Sequence, residues 1–253
     1  MVCAEGDASV RWSVTSRVVA GHRWKARSAS AVGNNGCFEM QRMNPFMPDL
    51  TSAGLAAPIL FTVLVIVQGL FQPDYSHKEL PISALAAWPL GWVQNVNFIL
   101  VGLLLIAYAI RLHVGIRPSR GGMVGPALLV ASGVGLIIAA VFPWRQVNGV
   151  LIEPAGHVVG ALLSFLGSAF GHIVISRRIA RDRRWQSVAS YVLAGGSAML
   201  VLFFTFAGFA LDPGTPLHPW AGVIQRLTVV VWFGCTTTLA LKSRSVRIDG
   251  SPR

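Results

Sequence analysis

The sequence predicts an all-α protein that crosses a membrane six times as a bundle of transmembrane helices. Of its 253 residues, 53% are hydrophobic and only 12% are charged, whereas about a quarter of the residues in a soluble domain are charged. The apolar residues are concentrated in six runs, each near the length of about 20 residues that a helix needs to cross a bilayer. This composition excludes most soluble enzymes of this length, and it excludes disorder for most of the chain.

Each of the six runs is bounded by charged residues, Pro or Gly. Long continuous apolar runs favour helices, because the strands of a membrane barrel alternate between apolar and polar residues. The predicted spans cover residues 53–72, 90–110, 123–142, 154–176, 188–211 and 219–241. They divide the chain into a basic tail (1–48), a membrane domain (49–242) and a C-terminal tail (243–253).

The distribution of basic residues predicts the orientation of the bundle. All but three of the 21 Lys and Arg residues lie in the terminal tails or in the loops after the second and fourth spans; the exceptions are Lys78, Arg145 and Arg226. Because Lys and Arg mark cytoplasmic segments, we expect both termini to be cytoplasmic and the protein to lie in the plasma membrane. This topology accounts for the net charge of +11, so we predict no nucleic-acid partner. The excess of Arg over Lys is typical of a GC-rich, bacterial genome.

The N-terminal tail, residues 1–48, is basic and has no long apolar run, so it lacks the core of a secretory signal. Two interpretations stay open. Residues 8–30 are rich in Arg and Ser and free of acids, as in a transit peptide, or translation begins at Met40, Met43 or Met47. Either way we expect the tail to be disordered. The three cysteines, at positions 3, 37 and 235, suggest no disulfide.

Small residues in the fourth span predict close helix packing. Gly156, Gly160, Ser164 and Ser168 recur at four-residue spacing, which places them on one face of the helix. Helices in lipid associate through such small-residue stripes. We therefore expect the fourth span to be central and closely packed.

Polar residues lie at comparable depth in the second, fourth and sixth spans, which all enter from the outside. Each of these spans begins near a proline and carries polar side chains in its first two turns, including Gln94 and Asn97 in the second span. We predict an outward-facing polar pocket between the three spans. The candidate ligand-binding residues, which include one from the last outer loop, are Asn95, Glu153, His157, Asp212, Gln225 and Arg226.

Several functions are compatible with this pocket. Arg226 either snorkels outward or faces the bundle, where it would pair with an acid or with a lipid headgroup or small anion. The asparagines serve equally well as interhelical hydrogen-bond partners. The interpretation as a scaffold or accessory protein therefore stays open. The alternative is a metal-dependent hydrolase that acts on lipid, with His77, His157 and His218 as candidate zinc ligands. No HxxxH or HExxH spacing supports that alternative.

Several short motifs resemble a family of bacterial membrane proteins grouped as domain of unknown function 998. The resemblance covers about residues 50–242 and leaves out the N-terminal tail. It rests on Tyr75-Ser76-His77, residues 81–85, Gly91-Trp92, Phe142-Pro143, His157 and Gln225-Arg226-Leu227. It implies the same multi-pass architecture and supplies no activity. Members of the family often carry an acid soon after the Phe-Pro pair, where this chain has Trp144-Arg145.

Overall fold

The computed structural model describes residues 51–72, 74–116 and 122–249. The predicted N-terminal tail, with its three alternative start sites and two of the cysteines, lies outside the described residues, as do residues 250–253 of the C-terminal tail.

Six helices are long and apolar enough to cross a membrane, which confirms the predicted fold class. The last of them continues beyond residue 241 into the segment predicted as a tail. The helices are α1 (Ala53–Leu70), α2 (Gly91–Gly115), α3 (Val124–Val141), α4 (Ala155–Ile179), α5 (Gln186–Thr205) and α6 (Ala221–Asp249).

The helices form a ring in chain order. Each helix packs against the next, and α6 packs against α1 to close the ring. Large apolar side chains from α1, α2, α4 and α6 meet inside it, among them Phe61, Phe98, Phe165 and Trp232. The segment Gln186–Ala210, which contains α5, is the least buried of the six, with 28% of its apolar window inside the protein. We infer that α5 is the helix most exposed to lipid.

The closest helix contact joins α3 and α4, as the small-residue stripe of the fourth span predicts. A Cβ atom on Gly160 would lie 2.6 Å from the backbone nitrogen of Ala139, so only glycine allows this approach. Beside it, Ser132 donates to the carbonyl oxygen of Ser164 and Ser164 donates to that of Ser132, at 2.8 and 3.2 Å. Close backbones and interhelical hydrogen bonds are what hold helices together in lipid.

The connections after α1, α3 and α5 lie together at one end of the ring, called here the hairpin end. The connection after α3 forms an antiparallel hairpin of β1 (Arg145–Val147) and β2 (Val150–Ile152). Its turn residues Asn148 and Gly149 have φ of 51° and 80°, as a type I′ turn requires. The hairpin was not predicted from the sequence, although an Asn-Gly pair is a signal for such a turn. The opposite end, which carries Arg177, Arg178, Arg181, Arg183 and Arg184, is called the arginine-rich end.

Two connections at the hairpin end contain further helical turns. The connection after α1 includes a 3₁₀ helix, Ile82–Ala87, and α5 ends in a π-helical turn, Phe206–Ala210. A 3₁₀ turn at His218–Trp220 precedes α6. The Glu79 N–H donates to the Ser76 hydroxyl at 3.2 Å, which closes a turn early in the connection after α1.

Candidate functional site

Part of the connection after α1 folds into the mouth of the ring. We call residues 75–88 the plug. The first four residues of its 3₁₀ helix are buried, with Ala84 and Leu85 0% exposed. Most loops run over a protein surface, because buried backbone groups need hydrogen-bond partners. The plug therefore depends on polar side chains that reach it from the helices.

Arg226 of α6 supplies most of those partners. Its Nη1 atom donates to the carbonyl oxygens of His77, Leu80 and Gly222, at 2.6, 3.2 and 2.9 Å. Its Nη2 atom donates to the Tyr75 hydroxyl at 2.7 Å and to Nδ1 of His77 at 3.0 Å. The half-buried guanidinium thus faces the bundle mouth, and within the residues described its partners are neutral groups rather than acids.

The contact with Arg226 determines the proton position on His77. Since Nδ1 of His77 accepts from the guanidinium, the neutral ring carries its proton on Nε2. Burial and the positive charge of Arg226 both lower the pKa of His77. For the neighbouring Tyr75, burial raises the pKa and Arg226 opposes that rise. The arrangement therefore favours a neutral imidazole beside a charged guanidinium.

Two glutamines, one from α6 and one from α1, also hold the plug. The Oε1 atom of Gln225 accepts from the Ile82 N–H. Nε2 of Gln68, near the end of α1, donates to the carbonyl oxygens of Leu85 and Leu90, at 3.2 and 2.9 Å. Gln225 was a candidate from the sequence, but Gln68 was not, although a glutamine within an apolar span was a usable signal.

The start of α6 fits closely against the plug. A Cβ atom on Gly222 would lie 2.5 Å from the carbonyl oxygens of both His77 and Leu80. The Val223 N–H donates to the carbonyl oxygen of Lys78 at 3.2 Å. The Lys78 ammonium also lies 4.4 Å from the centre of the Trp220 ring. Glycine at position 222 therefore allows the plug to reach Arg226.

Beneath the plug lies a cavity of about 40 Å³ between the helices, called here the chamber. That volume holds a few water molecules, since one needs about 10–15 Å³. Its lining is mainly apolar, and among the described lining residues there is no Asp, Glu, Lys or Arg. The lining residues are Phe61, Ile82, Ser83, Phe98, Leu136, Ala139, His157, Ala161, Ser164, Phe165, Gln225, Val229 and Trp232.

His157 presents an unused acceptor in the chamber wall. The residue is 2% exposed, and its Nδ1 atom lies 3.0 and 3.1 Å from the carbonyl oxygens of Ala139 and Phe142. Because both neighbours are acceptors, Nδ1 carries the proton and Nε2 keeps its lone pair. Within the described chain, that lone pair has no hydrogen-bond donor. The Trp144 ring meets the imidazole edge-on, with ring centroids 6.3 Å apart.

The polar residues of α2 lie outside the chamber lining. Gln94 and Asn97 are fully buried, whereas Asn95 is half-buried. The side-chain amide of Gln94 has no partner for either polar atom among the described residues, and Asn97 makes only a 3.5 Å contact with the carbonyl oxygen of Phe61. These amides form part of the predicted polar layer without reaching His157.

The remaining candidates are dispersed over the loops of the hairpin end. Glu153 is half-buried before α4, and burial raises its pKa, with Trp144 opposing that rise. Asp212 accepts from the Gly214 N–H at 2.8 Å, and Nδ1 of His218 lies 3.1 Å from the carbonyl oxygen of Ala210. Within the described ranges, no three His, Cys, Asp or Glu side chains come together as metal ligands would.

Comparison with known protein families finds one match. A family model described as "Protein of unknown function (DUF998)" matches residues 55–242. That range includes the plug, the chamber and Arg226. Neither the curated proteins nor the solved structures contain a match.

Proposed function

The chain belongs to the DUF998 family, and we propose that it binds an uncharged amphiphile, such as a hydroxyl-bearing lipid, in the chamber beneath the plug. Its six apolar helices make it a multi-pass membrane protein. We further propose the plasma membrane as its location, with both termini in the cytoplasm. The positive-inside rule then puts the plug and the chamber in the outer half of the bilayer.

The observation that carries this proposal is the unpartnered Nε2 atom of His157 in a mainly apolar cavity. The lone pair of this atom can accept one hydrogen bond. A ligand with one O–H or N–H donor and an apolar body would supply that bond and cover the aromatic wall. The Ser83 hydroxyl, which also lines the chamber, offers a second hydrogen bond.

The charges favour a neutral ligand over a lipid phosphate or a small anion. The guanidinium of Arg226 already donates to backbone and side-chain acceptors of the plug. An anion would have to displace those acceptors, which would then lose their donor. We therefore assign Arg226 the role of positioning the plug rather than that of contacting the ligand.

The size of the chamber implies movement on binding. Its volume of about 40 Å³ is well below the several hundred Å³ of usual ligand pockets. A ligand would place its polar end near His157 while the plug, or the helices beside it, move apart. The hydrogen bonds from Arg226 and Gln225 to the plug are those that such movement would weaken.

The test measures retention of dioleoylglycerol by the detergent-purified full chain, using native mass spectrometry. His157→Asn keeps a donor for the carbonyl oxygens of Ala139 and Phe142 but removes the Nε2 acceptor. Ala161→Leu fills the chamber and leaves the imidazole in place. We expect both variants to lose about tenfold in retention, the effect of about 1.4 kcal/mol.

His218→Asn is the matched control, because His218 lies at the same end outside the chamber lining. Its retention of dioleoylglycerol should equal that of the unmodified protein. Equal retention in all the variants would contradict the proposal. The chamber would then be a packing defect, and a scaffold or accessory function would be favoured.

A further inference from the structure

A second cavity lies at the arginine-rich end, between the end of α4 and the start of α5. It is a groove of about 350 Å³. Its wall on α4 includes Ser176 and Arg177, and its wall on α5 includes Gln186, Ser190 and Leu193. This groove is separate from the chamber, and it combines a basic group with hydroxyl and apolar side chains.

Arg177 differs from Arg178 and Arg184 in having an uncommitted guanidinium. Arg178 donates to the carbonyl oxygens of Ile116 and Gly122. Arg184 forms an ion pair with Asp182, with 2.7 Å between Nη2 and Oδ2. Arg177 is exposed at the groove, and within the described residues its guanidinium has no protein partner. Its five N–H donors are therefore available to a ligand.

The hydroxyl of Ser190 adds a second donor on the opposite wall of the groove. Gln186, by contrast, uses its amide N–H on the carbonyl oxygen of Ala180, at 3.0 Å. Within the described part of the chain, the Ser190 hydroxyl has no protein partner. A guanidinium and a hydroxyl on facing walls are the donors that a phosphate group accepts from.

From its mouth, the groove continues over apolar surface along α5, toward the middle of the membrane. Ala189 and Leu193 follow Gln186 at intervals of three and four residues, so they lie on the same side of α5. Leu193 is 40% exposed, and α5 is the helix with the least buried apolar window. A ligand held at the mouth of the groove can therefore lay a hydrocarbon chain along α5.

We propose that this groove binds the phosphate of an anionic membrane lipid, with Arg177 as its bidentate donor and Ser190 as its second donor. The five arginines between positions 177 and 184 are accompanied by a single acid, Asp182. This excess positive charge attracts an anionic leaflet. The groove localises that attraction at one site, which binds one lipid per chain.

The experiment compares binding of dioleoylphosphatidylglycerol to the detergent-purified full chain by native mass spectrometry. The unmodified protein should retain one lipid per chain and should prefer it to dioleoylphosphatidylcholine. Arg177→Ala should lower retention about tenfold, as the loss of a bidentate phosphate contact implies. Ser190→Ala should lower it by a smaller factor, and Arg177→Lys should restore only part of it.

Arg183→Ala is the matched control, since it removes the same charge from the same segment outside the groove lining. Retention close to that of the unmodified protein supports a localised site. An equal loss in Arg183→Ala and Arg177→Ala would overturn the proposal in favour of diffuse attraction. Displacement of the lipid by millimolar inorganic phosphate would also overturn it, because the site would then belong to a soluble phosphate.

Discussion

Arginine side chains act at both ends of the bundle, but in different ways. At the hairpin end, Arg226 points inward and donates to the half-buried backbone of the plug. At the arginine-rich end, Arg178 ties the connection between α2 and α3, while Arg177 lies exposed at a groove. Whether carbonyl acceptors lie within reach therefore decides whether an arginine acts as a structural donor or stays available to a ligand.

The difference has a physical consequence for stability. An acceptor that loses its donor without replacing it weakens the fold. Arg226 contacts the Tyr75 hydroxyl and the His77 imidazole as well as backbone carbonyl oxygens of the plug, whereas Arg178 donates to the carbonyl oxygens of Ile116 and Gly122. The tie made by Arg226 should therefore matter more than the tie made by Arg178. The predictions below test this contrast in order of decreasing effect.

Removing the guanidinium of Arg226 should have the largest effect. Arg226→Leu leaves the carbonyl oxygens of His77, Leu80 and Gly222 without that donor. We expect unfolding to become easier by about 2–3 kcal/mol, since hydrogen bonds from a charged group contribute about 1.5–3 kcal/mol. Thermal unfolding in detergent, followed by near-UV circular dichroism, measures the change.

Arg145→Leu is the control for this prediction, because Arg145 lies exposed in the hairpin at the same end. Its effect should stay within about 0.5 kcal/mol, as is usual for surface substitutions. If Arg226→Leu unfolds at the temperature of the unmodified protein, the guanidinium only snorkels and the plug is held by other contacts.

Crowding the plug should have the second-largest effect. In Gly222→Ala, the new methyl group would meet the carbonyl oxygens of His77 and Leu80, and such overpacking costs about 1–3 kcal/mol. Gly115→Ala, toward the arginine-rich end, is the control because nothing lies within 4 Å of its Cβ position. The same thermal measurement compares the two variants. Equal unfolding temperatures would show that the plug accommodates the methyl group without loss of stability.

Breaking the tie at the arginine-rich end should have a smaller effect. Arg178→Ala removes donors from the carbonyl oxygens of Gly122 and Ile116. Since a hydrogen bond contributes a net of about 0.5–1.5 kcal/mol, we expect a loss of about 1–2 kcal/mol in the free energy of unfolding. Chemical unfolding in mild detergent provides the measurement. A loss as large as that of Arg226→Leu would abolish the contrast between the two ends.

The membrane helices could be predicted from the sequence, because hydrophobic length and small-residue spacing are local signals. All six spans and the close packing around Gly160 followed from them. The plug could not be predicted in the same way. Its fold depends on contacts such as that between Arg226 and Tyr75, which lie 151 residues apart. The acceptors are largely backbone carbonyls, which no residue type in the sequence marks.

The candidate site was predictable only in part, for a related reason. Polar residues within apolar spans drew attention to His157 and Gln225, which both line the chamber. Hydropathy did not distinguish them from Asn95, which lies outside that lining. A hydropathy profile gives the depth of a residue in the membrane but not the side of the helix on which it lies. Gln68 was missed, although its amide holds the plug.

Acidification should have the smallest effect, and at the hairpin end it acts through His77. The folded protein lowers the pKa of His77 through burial and through the charge of Arg226, whereas the unfolded chain keeps the ordinary value of about 6.5. A lowered pKa means that the folded state binds the proton less readily. The contribution of His77 is therefore fully present above pH 6.5. It is lost as the pH falls toward the lowered value, where a protonated ring would face Arg226.

Unfolding temperatures measured between about pH 7.5 and pH 5, spanning the ordinary pKa of histidine, test this sign. His77→Gln should remove part of the loss on acidification, and subtracting its curve cancels other groups such as Glu153, whose pKa is raised. His218→Gln is the control, because His218 lies at the same end away from Arg226. Parallel curves for His77→Gln and the unmodified protein would contradict the prediction. Arg226 would then hold the plug through its carbonyl and tyrosine contacts, without the neutral imidazole.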